Sequence, residues 1–326
     1  MHFTLNRIYN AFLDKIRQEE LGGVILHKKG YDEHEKNHGI SRQLSGKSNE
    51  SLMIMKEGIE QAASEMNVNI SFITLSEENN VEEQKKLLDR EVKNGADAIL
   101  IAPAVYEGMS DEIESARKKT AVILIDSNIK TEENIPYIGC NNEELGASLA
   151  DEVIKMGNTR GKIAIVNGNL EYSTVMERYN GFMSAILKSN NYVEFIDILL
   201  DEKDSYDKVL EVLNKKEFDA IVTFDVKTLE LLAQCKKDIN ALNEEQIQTE
   251  IYGTGGTSKV TSFLEDDIIK ATAIQNEFNI GYLGVKMAVD IINNKYVENT
   301  LIYSAVIDKR SMYTEENERL LFPLIK

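Results

Sequence analysis

Several segments carry residue types that could do chemistry, and their spacing decides which chemistry survives. His34-Glu35-Lys36-Asn37-His38 spells H-E-x-x-H, the arrangement in which two histidines one helical turn apart hold zinc and the glutamate acts as base. The stretch Tyr31 to Gly39 has no apolar face to anchor such a helix, and Gly39 terminates it at once, so it reads as a solvated polar loop. Gly253-Thr254-Gly255-Gly256-Thr257-Ser258 follows an apolar strand and looks like a phosphate cradle. It lacks the third glycine of G-x-G-x-x-G and the G-K-[ST] of a P-loop, which leaves a strand-to-helix turn. Gly46-Lys47-Ser48 ends like a P-loop, but Ser41 stands where the upstream glycine belongs. Asp201, Asp204 and Asp207 miss the calcium-loop spacing, because Lys203 and Ser205 occupy ligand and glycine positions. The acidic run Glu77 to Glu83 is a helix N-terminus, favoured by the helix dipole.

The histidines settle more. They are His2, His27, His34 and His38, so Ser-His-Asp, Cys-His and histidine-rich metal chemistry are excluded from residues 39–326. Cys140 and Cys235 cannot form a four-cysteine zinc site or a disulfide scaffold. No catalytic residue, metal or cofactor is expected, and an α/β enzyme is disfavoured.

A second set of residues sits at strand ends. Asp126 follows Val122-Ile123-Leu124-Ile125, Asp225 follows Ile221-Val222-Thr223-Phe224, and Gln275 follows Ala271-Thr272-Ala273-Ile274. Asn49 and Arg178 fall just before or inside helices that open each half of the chain. The carboxyl edge of a parallel sheet faces the ligand crevice, though each such residue could equally be a helix N-cap. Acids, amides and one arginine suit a neutral polyhydroxyl ligand, whose hydroxyls both donate and accept. No nucleophile lies beside a base in this set, so binding is implied and catalysis is not.

The elements that must position these groups alternate. Apolar residues recur three and four apart through Leu52, Met55, Ile59, Ala62 and Met66, predicting a helix buried on one face. A strand over 70–75, a helix over 81–92, a strand over 96–102, a helix over 109–118 and a strand over 121–125 follow. Short apolar strands between helices predict an α/β fold with parallel sheets covered on both faces. The pattern then repeats: the stretch from Gly58 to Asp97-Ala98-Ile99 and that from Gly181 to Asp219-Ala220-Ile221 keep the same element order with about one gap. Two similar doubly wound lobes, with a ligand cleft between them, are therefore expected.

With 326 residues and about 150 per domain, two domains fit the length. A net charge of −18 argues against nucleic acid and anionic membrane surfaces, which need a positive field. The first residues fit the repeat poorly. Extending it backwards pairs Lys162–Val166 with Ile40–Leu44, yet Ser41, Arg42 and Gln43 do not suit a buried parallel strand. Gly23-Val24-Ile25-Leu26 is more strand-like but lies far from the first helix, and Leu5 to Leu21 reads as a helix. Asn6, Arg7, Asn10 and Asp14 interrupt any signal-peptide apolar run.

These features together resemble the ribose-binding-protein family, the type I periplasmic solute-binding proteins of sugar ABC transporters. The resemblance spans about residues 44–326. It rests on Lys56-Glu57-Gly58, Gly95 to Pro103, Val122 to Asp126, Glu177 to Phe182, Asp219 to Asp225, Ala271 to Gln275 and Ile280-Gly281. It implies two lobes with a hinge and three crossovers: 44–140 with 276–303, and 141–275 with 304–326, leaving 1–43 as an atypical segment. It further implies an extracytoplasmic monomer that closes on a sugar and docks on an ABC permease or a membrane-bound sensor. Asn49, Asp126, Arg178, Asp225 and Gln275 match the family's polar sugar contacts. Ser51 and Leu52 replace its stacking aromatic pair, while Gly255 and Ala102 stand where an Asp and an Asn can bind. Phe224, Tyr206 and Phe278 are the expected substitute walls. The alternative is an effector-sensing module like that of lactose-repressor-family regulators, which needs a helix-turn-helix that residues 1–39 do not offer.

Overall fold

The computed structural model describes residues 23–28, 49–73, 75, 80–157, 161–168, 172–189, 194–200, 205–242 and 246–322. The H-E-x-x-H segment, Gly46–Ser48, Asp201, Asp204, Ile40–Leu44 and the helix expected over 5–21 lie outside these residues.

The chain builds two six-stranded sheets. The first contains β1 (Gly23–Lys28), β2 (Val68–Ile73), β3 (Ala98–Ile101), β4 (Ala121–Ile125), β5 (Tyr137–Gly139) and β11 (Thr300–Leu301), in the order β11-β5-β4-β3-β1-β2. Its helices are α1 (Asn49–Met66), α2 (Val81–Lys93), α3 (Ser110–Arg117) and α9 (Glu277–Ile292). The second sheet contains β6 (Lys162–Asn167), β7 (Glu194–Leu199), β8 (Ala220–Val222), β9 (Glu250–Thr254), β10 (Ala271–Gln275) and β12 (Ser304–Asp308), in the order β12-β10-β9-β8-β6-β7. With it go α4 (Asn142–Lys155), α5 (Ser173–Lys188), α6 (Ser205–Lys215), α7 (Val226–Leu242), α8 (Ser258–Glu265) and α10 (Glu315–Leu321). The first three helix-to-strand repeats thus appear where the apolar periodicity places them, with strand and helix ends within a residue or two.

The central strands of each sheet are buried on both faces, which is why they read as continuous apolar runs. In β3 and β4, Ala98, Leu100, Ile123 and Ile125 pack under α1 and α9, while Ile99, Ile101, Val122 and Leu124 pack under α2 and α3. The second sheet divides the same way. Ala164, Val166, Ile221 and Ile251 serve one core, and Ile163, Ile165, Val222 and Tyr252 the other.

The strands are parallel with two exceptions. One is β12, antiparallel to β10. The other is β1, which runs antiparallel to both neighbours, Val24 opposite Leu100 and Ile25 opposite Ser71. Its counterpart β6, in the same position of the second sheet, is parallel to both of its neighbours. The apolar run Val24-Ile25-Leu26, set apart above with residues 1–43, therefore belongs to the first sheet. Reversal answers the distance problem: β1 ends at Lys28, at the sheet edge away from the cleft, and its carboxyl end does not face the ligand crevice.

The glycines that open the repeat have a packing cause. A Cβ at Gly58 would overlap Phe278 O, and one at Gly281 would overlap Met55 O, so α1 and α9 cross backbone to backbone. In the other lobe, a Cβ at Gly181 would overlap Glu143 O and one at Gly146 would overlap Arg178 O. Each glycine meets the carbonyl three residues before its partner glycine. The same reciprocal crossing thus occurs in both lobes.

Candidate functional site

Helix caps at the carboxyl ends of the second sheet bring its polar groups to one place. Asp225 Oδ1 accepts from Thr228 N at 2.8 Å, Thr257 Oγ1 from Val260 N at 3.2 Å, and Asn276 Oδ1 from Asn279 N at 2.9 Å. Helices α7, α8 and α9 therefore begin at the interlobe cleft, with the positive ends of their dipoles there. The expected turn after β9 is present, with Gly255 at φ +146°. The cleft encloses a cavity of about 70 Å³.

Asp126, Arg178, Phe224, Asp225 and Gln275 all line this cleft. Asn49 is the first residue of α1, two positions before the lining residue Ser51, and its side chain lies outside the described set.

Asp126 is held in the left-handed region, at φ +64°, a conformation that Asp and Asn tolerate best after glycine. Its N–H donates to Ile138 O and its carbonyl accepts from Tyr137 Oη, both at 2.8 Å, so β5 fixes the turn. Burial, then the Asp126 charge, push the Tyr137 hydroxyl well above its ordinary pKa, keeping it a donor. The Asp126 side chain, 4% exposed, accepts from Gln275 Nε2 at 2.7 Å.

Gln275 Nε2 also donates to Glu277 Oε1 at 3.1 Å. Two carboxylates thus dictate the amide's orientation, because turning it over would set oxygen against oxygen. Gln275 Oε1 is left buried with no hydrogen-bond partner, and leaving an acceptor so costs about 1–3 kcal/mol. Thr254 Oγ1, also in the lining, is buried and unpartnered as well.

Arg178 is braced from α4. Its Nε donates to Asn142 Oδ1 at 2.8 Å, and Asn142 Nδ2 donates to Glu177 Oε2 at 3.1 Å. Burial raises the Glu177 carboxyl above its ordinary value, against the lowering effect of Asn142 and Arg178. Cys140 Sγ lies 3.2 Å from Asn142 Oδ1, and burial pushes its thiol up to about 11, so no thiolate nucleophile forms at neutral pH.

Asp225 has a second structural task, since Oδ2 accepts from Gly168 N at 3.3 Å. It is both N-cap and lining residue. Phe224 is fully buried and packs edge-on against Tyr179 and Phe182, at 6.0 and 5.5 Å between centroids. The other two expected walls are elsewhere. Tyr206 is about half exposed on α6, and Phe278 stacks on Tyr282 in α9. Leu52 points into the α1/α9 core, and Ala102 accepts from Gln84 Nε2 through its carbonyl. The walls that pattern reading missed are Ile54, Tyr172, Val175, Val226 and Leu320. Each is an ordinary apolar residue of a helix or its approach, so nothing in its type separates it from core.

Among the described residues, hydrogen bonds that cross between the lobes include Gln275 to Asp126, Asn128 N to Ser173 Oγ at 2.8 Å, and Ser258 to Glu50. In the last, Ser258 N donates to Glu50 Oε1 and Oε2 at 2.9 and 3.0 Å, and Ser258 Oγ donates to Oε2 at 2.9 Å. These hydrogen bonds join the two lobes across the cleft.

Residues 44–296 match the model of the periplasmic binding protein domain family. The chain belongs to that family. As a periplasmic binding protein it is a solute-binding protein rather than an enzyme, and the family's location is extracytoplasmic. Among its relatives, the ribose import binding protein of Bacillus subtilis is 23% identical over 284 residues, covering 82% of this chain and 86% of that protein. The solved carbohydrate-transporter solute-binding protein of Agrobacterium radiobacter, in complex with D-arabinose, has a TM-score of 0.76. It is 17% identical and covers 83% of this chain and 94% of its own. The XylFII–LytSN complex contains a chain 25% identical to this one, with a TM-score of 0.70 and coverage of 82% and 97%. The type I binding-protein fold of this periplasmic binding protein is thereby shared along most of its length.

Proposed function

We propose that this periplasmic binding protein closes on one small neutral sugar between its lobes and presents it to a membrane partner. The observation that carries the reading is the buried, unpartnered Gln275 Oε1, whose amide is oriented by Asp126 and Glu277 at the junction of the lobes. A sugar hydroxyl donates to such an oxygen. Arg178 supplies donors, Asp126 an acceptor, Asp225 its remaining lone pairs, and Asn49 an amide at the start of α1. Phe224 supplies an apolar wall. Residues 44–140 with 276–303 form one lobe of this reading, and 141–275 with 304–326 the other.

A ligand touching both lobes favours the closed form by its differential affinity for it. The closed surface is what a permease would recognise in a transporter, as the ribose import relative's name suggests. A membrane sensor is the second partner class, favoured by the neighbour found with LytSN. The monomer is the binding unit.

A thermal-shift screen against pentoses, hexoses, polyols, nucleosides and furanoses tests the reading, since a bound ligand raises the melting temperature by mass action. A shift with one sugar is expected. Silence across every sugar, with or without a response to another class, overturns the sugar assignment.

A further inference from the structure

Thr254 is the last residue of β9, opposite Ala273 and so beside the strand that ends at Gln275. It is 2% exposed and lines the cleft. Its hydroxyl has no hydrogen-bond partner, as donor or acceptor. Buried hydroxyls are normally paired, and a valine would fill the same space without an unsatisfied group. Thr223 and Thr261 also carry unpartnered hydroxyls, but neither lines the cleft, which separates Thr254 from them.

The backbone explains why this residue holds the position. Gly255 lies at φ +146°, and a Cβ there would come within 2.5 Å of Val226 Cγ2. A side chain at 255 does not fit this turn. With Gly253, Gly255 and Gly256 around it, Thr254 is the polar side chain that the end of β9 brings to the cleft.

We propose that Thr254 sets the ligand specificity of the cleft by hydrogen bonding one particular sugar hydroxyl, next to the one read by Gln275. This rests on the sugar reading above. A hydroxyl group can donate and accept, whereas Gln275 Oε1 can only accept, so the two discriminate differently among hydroxyl orientations. A site built to pair a ligand hydroxyl rejects the analogue that lacks it, because its own group is then left unpaired.

The test titrates wild type, Thr254→Val and Thr254→Ser calorimetrically with D-ribose, D-xylose, D-arabinose and D-glucose, then with monodeoxy analogues of the tightest binder. Thr254→Val should weaken the parent sugar about tenfold or more while leaving one monodeoxy analogue at its wild-type affinity, and Thr254→Ser should restore the parent. Equal weakening of every analogue, or no weakening at all, overturns the role of Thr254 and leaves the sugar reading standing. If wild type binds none of the four, the sugar that gives the largest thermal shift takes their place, and failure to bind any sugar of that panel overturns both.

Discussion

Gln275 Nε2 donates to Asp126 Oδ1 at 2.7 Å, tying the last residue of β10 in one lobe to the residue after β4 in the other. The two stand 149 residues apart in sequence and meet because each lobe ends its strands at the same cleft. The bond orients the amide that offers its oxygen to ligand. Asp126→Asn keeps a residue type that tolerates φ +64°, so the fold should persist while sugar affinity falls about tenfold or more. Arg178→Ala should act likewise. Calorimetry paired with circular dichroism checks both, and unchanged affinity in both variants would remove these residues from the site.

Strand-end logic could find Asp126, Asp225 and Gln275 because polar residues closing apolar strands are conspicuous, and a parallel sheet puts such ends on one side. It could not rank them. Asp225 reads as a cap and as a ligand contact, and only the pairs to Thr228 N and Gly168 N show how much of its carboxylate the fold already uses. Thr254 was invisible, since a threonine ending a strand is ordinary and its missing partner is a tertiary fact. The reversed β1 was hidden for a different reason. Periodicity identifies Val24-Ile25-Leu26 as a strand but carries no sign of direction, so antiparallel pairing with both neighbours had no signature.

The reciprocal glycine crossings make a stability prediction. Gly58→Ala should destabilise the first lobe by about 3 kcal/mol, because its Cβ meets the Phe278 carbonyl oxygen and α1 must move off α9. Gly146→Ala should do the same in the second lobe and also weaken binding, since the obstructed carbonyl is that of Arg178. Urea unfolding measures the first effect. Wild-type midpoints in both variants would contradict the close-crossing account.

Glu50 and Ser258 clasp the lobes at the cleft mouth. Glu50→Ala should shift the ligand-free protein towards the open form about fivefold, the equivalent of about 1 kcal/mol for an exposed charge-assisted pair. Small-angle scattering should then show a larger radius of gyration without ligand and wild-type dimensions with it. An unchanged radius without ligand would mean that the clasp does not govern closure.

Lys236 gives a pH signature away from the cleft. Its Nζ is buried and donates to Thr249 O at 2.7 Å, and burial lowers its pKa from 10.5 to about 8. Between these values the unfolded chain holds a proton that the folded chain has shed, so unfolding free energy rises with pH across that window. The full gain is roughly 3 kcal/mol. Cys140 and Cys235, whose thiols burial pushes up to about 11, oppose it from about pH 9, and Tyr137 opposes it above pH 10, because in the unfolded chain these groups ionise first. The Lys236 contribution is therefore read as a difference: between pH 8 and about 9.5, urea unfolding should show the stability of wild type rising relative to that of Lys236→Met, which keeps the cysteines and the tyrosine. A difference between the two proteins that does not change with pH would contradict it.

Calorimetric titration of wild type and Gln275→Leu with the sugar that gives the largest thermal shift bears most directly on how the cleft works. Saturable one-to-one binding by wild type, lost or weakened more than tenfold in a Gln275→Leu protein that still folds, is the predicted result. Binding of equal strength by the two proteins would show that the sugar does not use the oxygen that Asp126 and Glu277 hold out to it, and the interlobe site would have to be placed elsewhere.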